Sequence, residues 1–296
     1  MLLLIPWKVD VPEDRWPVVN WLIIMATITV FCLQVPDLIA IAEQTSRLRH
    51  HMPGAKAEIV VPGITGALML KDWGLKGLFG HMWLHAGLLH LAGNMLFLWI
   101  FGNALCAKIG NLKYILLYVL FGLAAGITHR LFASGPVLGA SGAINGVVGM
   151  YLVLFFENEI TCLFAFWFIL PYVRWFGVRS IWMILFYLFW DIVGAMGGGS
   201  HVANFAHLGG FATGFGIAFL LCHLGWIQME EYERSLYQAW QEWRHGRKDP
   251  YEAYYGGLTP LMRELKEQEP STPAAGACTA AATIAETCPH DRSRHR

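Results

Sequence analysis

The chain is 296 residues long, 56% hydrophobic and 14% charged, with a formal net charge of zero. Soluble globular proteins carry about 25% charged residues, so this composition excludes an ordinary cytosolic enzyme, a nucleic-acid binder with a basic face and a disordered chain. Of the 21 basic and 21 acidic residues, 20 fall in the last 71 positions, whereas 77–156 holds only Lys108, Lys113 and Arg130. An all-α polytopic membrane protein with a polar C-terminal extension satisfies that distribution.

The opening Met-Leu-Leu-Leu-Ile-Pro is too short for the apolar core of a signal peptide and has neither a basic start nor a cleavage site. Residues 1–15 are therefore read as a short N-terminal segment that the mature protein keeps. A helix crosses the hydrocarbon core in about 20 apolar residues. Six stretches qualify, 17–35, 84–106, 114–132, 141–156, 181–196 and 204–224, with a long first loop over 36–80. The fourth and fifth are short, which suits helices whose ends are buried in protein. The stretch 160–176 is aromatic-rich, is interrupted by Pro171 and has Arg174 and Arg179 near its end. This favours an interfacial hairpin or half-buried loop over a seventh span. With six spans both termini share one side. Lys8, Arg15, Lys108, Lys113, Arg174 and Arg179 then mark that side as cytoplasmic.

Residues 226–248 place Met229, Tyr232, Leu236, Trp240 and Trp243 at three- and four-residue intervals. That spacing predicts an amphipathic cytoplasmic helix whose aromatic stripe lies on the membrane surface or on its own domain. Asp249-Pro250 ends it, and 249–296, rich in Pro, Ala and Thr beyond Glu269, reads as a disordered tail. The six cysteines form no CxxC and no disulfide framework, so all are read as free thiols.

Strongly polar side chains inside a bilayer are unfavourable by several kcal/mol near its centre, so each invites a functional reading. Span two carries His81, His85, His90 and Asn94; His90 and Asn94, four apart, share a helical face and offer two donors to a carbonyl oxygen or an anion. The three histidines lack an HExxH pattern and a nearby acidic ligand, so no metal is expected. Bonds to backbone or to one another account readily for His81 and His85. Ser141 opens span four in Gly139-Ala140-Ser141-Gly142, where free backbone N–H groups and the helix dipole favour an anion. Taken alone, Ser141 reads as an N-cap and Gly142/Gly146 as a GxxxG packing face. His207 precedes a Gly210/Gly214 pair; if the two glycine faces pack together, His207 reaches Ser141. Asp191 in span five has two readings, an acid that orients His207 or a residue that pins the adjoining loop. The second is favoured, because span five need not bring it to the ring.

These motifs together resemble the rhomboid intramembrane serine proteases: His81-x3-His85-x4-His90-x3-Asn94 on span two, Gly139-Ala-Ser141-Gly142 opening span four, and Ala206-His207-Leu-Gly-Gly-x3-Gly214 in span six. The resemblance covers residues 16 to 224 and implies a six-helix membrane domain, taken here as 16–225. It implies a serine endopeptidase that cleaves in or next to transmembrane segments of membrane proteins. Ser141 would be the nucleophile and His207 its base, with no required acid. His90, Asn94 and the Ser141 N–H would form the oxyanion hole, and the Gly142/Gly146 and Gly210/Gly214 faces would pack near the site. The loop Gly197-Gly-Gly-Ser200-His201 would cap it. No cofactor, metal or nucleic acid is implied; the partners are transmembrane substrates and the lipid bilayer. Many members carry a Trp-Arg pair in the first loop, where this chain has Asp72-Trp73-Gly-Leu-Lys76. That departure lies in a loop, outside the motifs that carry the resemblance. The absence of a transit peptide favours a bacterial inner membrane. A silent, substrate-escorting relative is the alternative; intact Ser141, His207 and flanking glycines weigh against it.

Overall fold

In a computed structural model of the chain, residues 2–12, 15–51, 59–167, 171–197, 203–230 and 233–246 are described. The chain divides into two units, Met1–Gln241 and Glu242–Arg296; of the second, only the end of one helix is among the described residues. Strand β1 (Leu2–Val9) leads into a long helix α1 (Val18–His51), followed by two short helices, α2 (Gly63–Leu68) and α3 (Leu75–Gly80). A 3₁₀ turn at His81–Trp83 precedes α4 (Leu88–Phe97), which continues through a π turn (Leu98–Gly102) into α5 (Asn103–Ile109). Then come α6 (Asn111–Phe132), α7 (Ser141–Leu154), strands β2 (Glu159–Trp167) and β3 (Pro171–Arg179), α8 (Ser180–Gly197), α9 (Asn204–His223) and α10 (Leu236–His245).

Five stretches among the described residues are long and apolar enough to cross a membrane: 18–50, 88–109, 111–132, 180–197 and 204–223. The sixth expected span is α7, only 14 residues. It is short because it is not a lipid-facing helix: from Gly142 to Leu154 all but Asn145 are buried, and α6 and α9 pack along it. In lipid, such a helix satisfies its backbone internally, so length is needed only where hydrocarbon must be matched.

Close packing is set by missing side chains. A Cβ on Gly210 or Gly214 of α9 would overlap the carbonyl oxygens of Gly142 and Gly146 of α7. The two α7 glycines themselves turn their bare faces toward Ala125 and Phe121 of α6, while Gly149 is the α7 residue that admits the α9 backbone at Phe211. The expected glycine faces therefore meet through the carbonyls of one and the hydrogens of the other.

The π turn also has an identifiable cause. Asn20 of α1 donates from Nδ2 to the Leu98 carbonyl at 2.8 Å and to Asn103 Oδ1 at 2.7 Å, and accepts from Tyr114 Oη at 2.7 Å. Its Oδ1 lies 2.5 Å from where a Gly102 Cβ would stand. A wedge of polar side chains held against one helix turn is a recognised origin of such bulges.

Two expectations are corrected and a third is sharpened. The first loop does not start at residue 36: α1 runs through Pro36 to His51. Asp37 on this extension accepts from both the backbone N and Oγ1 of Thr65 at 2.9 Å, which ties α2 to α1. The stretch 160–176, expected as an interfacial hairpin or half-buried loop rather than a seventh span, lies in the β2–β3 hairpin; what is added is that β1 pairs with it as a third antiparallel strand in the order β1-β2-β3. Pro171 is tolerated because it is the first residue of an edge strand. The helix expected over 226–248 is shorter, Leu236–His245. Ser235 Oγ accepts from the Gln238 N–H at 3.2 Å and Gln238 Oε1 accepts from the Ser235 N–H at 2.8 Å, a reciprocal capping box that fixes the start. The loop Gly198–His201 and the tail beyond Gly246 lie outside the described residues.

Candidate active site

Four segments converge at the end of the bundle where α7 begins. The loop before Ser141 is fixed by backbone bonds between Leu70 and Val137 in both directions, 3.1 and 2.9 Å, and by the Gly139 N–H donating to the His81 carbonyl at 2.8 Å. Gly139 has φ +133, and a Cβ there would sit 2.9 Å from the His90 ring and 3.6 Å from Ser141 Oγ. Glycine is required on both counts. Ser141 is the first residue of α7, so the backbone N–H groups of this turn have no carbonyl within the helix.

His207 lies in the first turn of α9. Its Nε2 is 2.8 Å from Ser141 Oγ, and its Nδ1 is 2.7 Å from Asp191 Oδ1 on α8. An ionised carboxylate only accepts, so the ring hydrogen belongs on Nδ1 and Nε2 is left to accept from the serine hydroxyl. The His207 and Asp191 side chains are 14% and 15% exposed, enclosed but within reach of water. Asn204, one turn before His207, donates to the same Asp191 oxygen at 3.1 Å.

The α4 residues face this pair across a cavity of about 380 Å³ lined by His90, Asn94, Ser141, Asn145, Asp191 and His207, with apolar walls from α4, α8 and α9. The Ala86 N–H donates to His90 Nδ1 at 3.4 Å, so the hydrogen of that ring sits on Nε2, the atom turned toward Gly139. Asn94 Nδ2 gives one hydrogen to His85 Nε2 at 2.8 Å and keeps a second. His85 is fully buried and edge-on to His90, with ring centroids 5.0 Å apart; His81 Nδ1 bonds the Gly77 carbonyl at 3.0 Å. Both therefore brace the helix end rather than face the cavity. Among the described residues, no group of three or more His, Cys, Asp or Glu side chains is placed to hold a metal ion.

All the expected site residues thus meet here: Ser141, His207, His90 and Asn94 at the cavity, with Gly142, Gly146, Gly210 and Gly214 on the seam beneath it. Asp191, favoured above as a loop pin, meets the His207 ring, and Asn204, not expected there, bonds the same carboxylate. A signal existed: Asp191 and Gly194 on α8 and Asn204 and His207 on α9 are each three apart, two facing pairs on single helix faces. Gly194 makes the approach possible, since a Cβ there would lie 2.6 Å from Asn204 Nδ2.

The combination is a hydroxyl held against a ring acceptor, beside ring and amide donors, in an apolar cavity. It can activate an oxygen nucleophile and stabilise an anion. The Rhomboid domain family matches residues 72–224, which include every residue of this cavity. RHOMBOID-like protein 4 of Arabidopsis thaliana is 34% identical over 149 residues, covering 49% of this chain and 34% of that protein. Rhomboid protease GlpG of Klebsiella pneumoniae is 33% identical over 144 residues, covering 48% and 47%. Rhomboid protease GluP of Bacillus subtilis is 32% identical over 132 residues, covering 45% and 23%. The matched stretch spans less than half the length of each of these relatives. With the domain match covering more than half of its length and the long apolar helices around it, the chain is a multi-pass membrane protein of the rhomboid family.

Proposed function

We propose that the chain is an intramembrane serine endopeptidase that hydrolyses peptide bonds in or next to transmembrane segments of other membrane proteins. The observation that carries this reading is the 2.8 Å contact between Ser141 Oγ and His207 Nε2 at a cavity inside an apolar helix bundle. Two of the similar proteins bear the name rhomboid protease, which supports the same chemistry.

In this reading His207 Nε2 takes the Ser141 hydroxyl proton as Oγ attacks the scissile carbonyl carbon. The negative charge forming on the carbonyl oxygen is met by the free His90 Nε2–H, the second Asn94 amide hydrogen and the Ser141 backbone N–H. His207 then returns its proton to the leaving amine, and water repeats the sequence on the acyl-enzyme to free Ser141. A helical substrate hides its carbonyls in hydrogen bonds, so the substrate segment unwinds before it is cut. The cavity accepts water from the end where α7 begins, taken as the outer face. Both termini are then cytoplasmic and the setting a bacterial inner membrane.

The test is cleavage, by purified protein in detergent, of a transmembrane reporter whose helix is weakened by small residues. Ser141→Ala is expected to abolish cleavage, and a variant as active as the parent would sink the proposal.

A further inference from the structure

In the reading above Ser141 and His207 carry the chemistry, and the ring of His207 is also held from behind. We propose that Asp191 is a positioning residue for His207, making the site of this chain a Ser141–His207–Asp191 triad with Asn204 as its brace; the proposal rests on the hydrolase reading above.

The argument starts from donors and acceptors. A neutral imidazole has one hydrogen and two nitrogens, and it serves as a base toward Ser141 only when that hydrogen is on Nδ1. Asp191 Oδ1, at 2.7 Å, holds it there. The carboxylate is itself oriented, because Asn204 Nδ2 donates to the same oxygen at 3.1 Å. The bare face of Gly194 lets Asn204 lie against α8. Asp191 and Gly194 on one helix, and Asn204 and His207 on the other, therefore interlock as two i,i+3 pairs. A loop-pinning residue would need none of this register, and its carboxylate would not face Nδ1.

During attack the Ser141 proton moves to Nε2, the Oγ lone pair forms the new bond to the carbonyl carbon, and the carbonyl π pair moves onto its oxygen. His207 becomes a cation between the serine and a carboxylate that stays unprotonated. Asp191 thus stabilises the charged ring as well as its orientation, without touching the substrate.

The test separates positioning from simple helix stapling. Asp191→Ala and Asp191→Asn are assayed in the full chain for kcat and KM on the transmembrane reporter, for thermal unfolding, and for the rate at which a small fluorophosphonate labels Ser141. The probe needs the base but no transmembrane docking. In Asp191→Asn the amide oxygen can still accept from Asn204, but the negative charge behind the ring is gone, so this near-isosteric change leaves the cationic ring of the attack step unstabilised without opening a void. Both variants are expected to lower kcat and the labelling rate by on the order of 10²-fold or more, with KM within about two-fold. Labelling within about two-fold of the parent, with any loss confined to KM or to the unfolding temperature, overturns the proposal in favour of a staple between α8 and α9. If Asp191→Ala does not fold, Asp191→Asn decides. His207→Ala in the labelling assay distinguishes the two layers. Labelling that depends on His207 but not on Asp191 removes only the positioning role, whereas labelling independent of His207 removes the hydrolase reading as well.

Discussion

The two ends of α7 are built on opposite plans. At its start, polar groups converge on a cavity and keep hydrogens uncommitted: His90 Nε2, one Asn94 amide hydrogen and the first backbone N–H groups of the helix. At its far end, polar groups are matched in pairs. Lys108 and Glu233 form an ion pair with side chains only 9% and 7% exposed, and Arg234 bonds Glu157 at 3.1 Å. His223 bonds Tyr237 at 2.8 Å, and the Ser180 hydroxyl donates to the Asn158 carbonyl at 2.7 Å. Unsatisfied donors are the currency of a reactive site, while a scaffold closes every one it can. The same bundle can do both because the α7–α9 glycine seam holds the two ends in fixed register.

That contrast can be broken at its middle. Gly210→Val places branched carbons where the Gly142 carbonyl already sits, and overpacking against backbone has no side chain to yield. It is expected to destabilise by more than about 3 kcal/mol, removing both folding and cleavage, as read by thermal unfolding and reporter assay. The far end is tested by Glu233→Gln, which leaves the buried Lys108 ammonium uncompensated. A loss of about 3 kcal/mol in stability is expected, with kcat unchanged below the melting range. A fall in kcat at unchanged stability would show that the two ends are not independent. The near end is tested by Asn94→Ala, which removes one anion donor and is expected to cut kcat by about 10²-fold with little change in melting temperature.

Much of this was legible in the residues. Scarce charge over 77–156 marks the apolar body, helical spacing puts His90 and Asn94 on one face, and the resemblance to the rhomboid proteases implies that Ser141 and His207 join them. What escaped depended on partners distant in sequence. Leu2–Val9 looks like a short apolar run until it pairs with Ile160 to Phe166, some 150 residues on. For 160–176 the interfacial hairpin is the favoured reading of the sequence, and the pairing with β1 is the part that local pattern does not give. Pro36 looked like a boundary, yet α1 passes through it. In α10 the apolar repeat outran the true start, which the Ser235-x-x-Gln238 box specified locally. The reach of Asp191 to the His207 ring depends on how α8 packs on α9, which spacing within one helix does not give.

The brevity of α7 has a consequence for how the bilayer acts on the protein. At 14 residues and 1.5 Å each, α7 is about 21 Å long, well short of a hydrocarbon core of about 30 Å. Protein rather than lipid surrounds it, so hydrophobic mismatch does not act on α7 directly. It acts on α6 and α8, which expose Leu116, Leu131, Phe186 and Phe189. In a thicker or thinner bilayer those outer helices tilt or the lipid deforms around them. Ser141 keeps its place relative to His207 while its depth below the headgroups changes, so in the proposed protease bilayer thickness would select which bond of a substrate meets the serine without altering the chemistry applied to it.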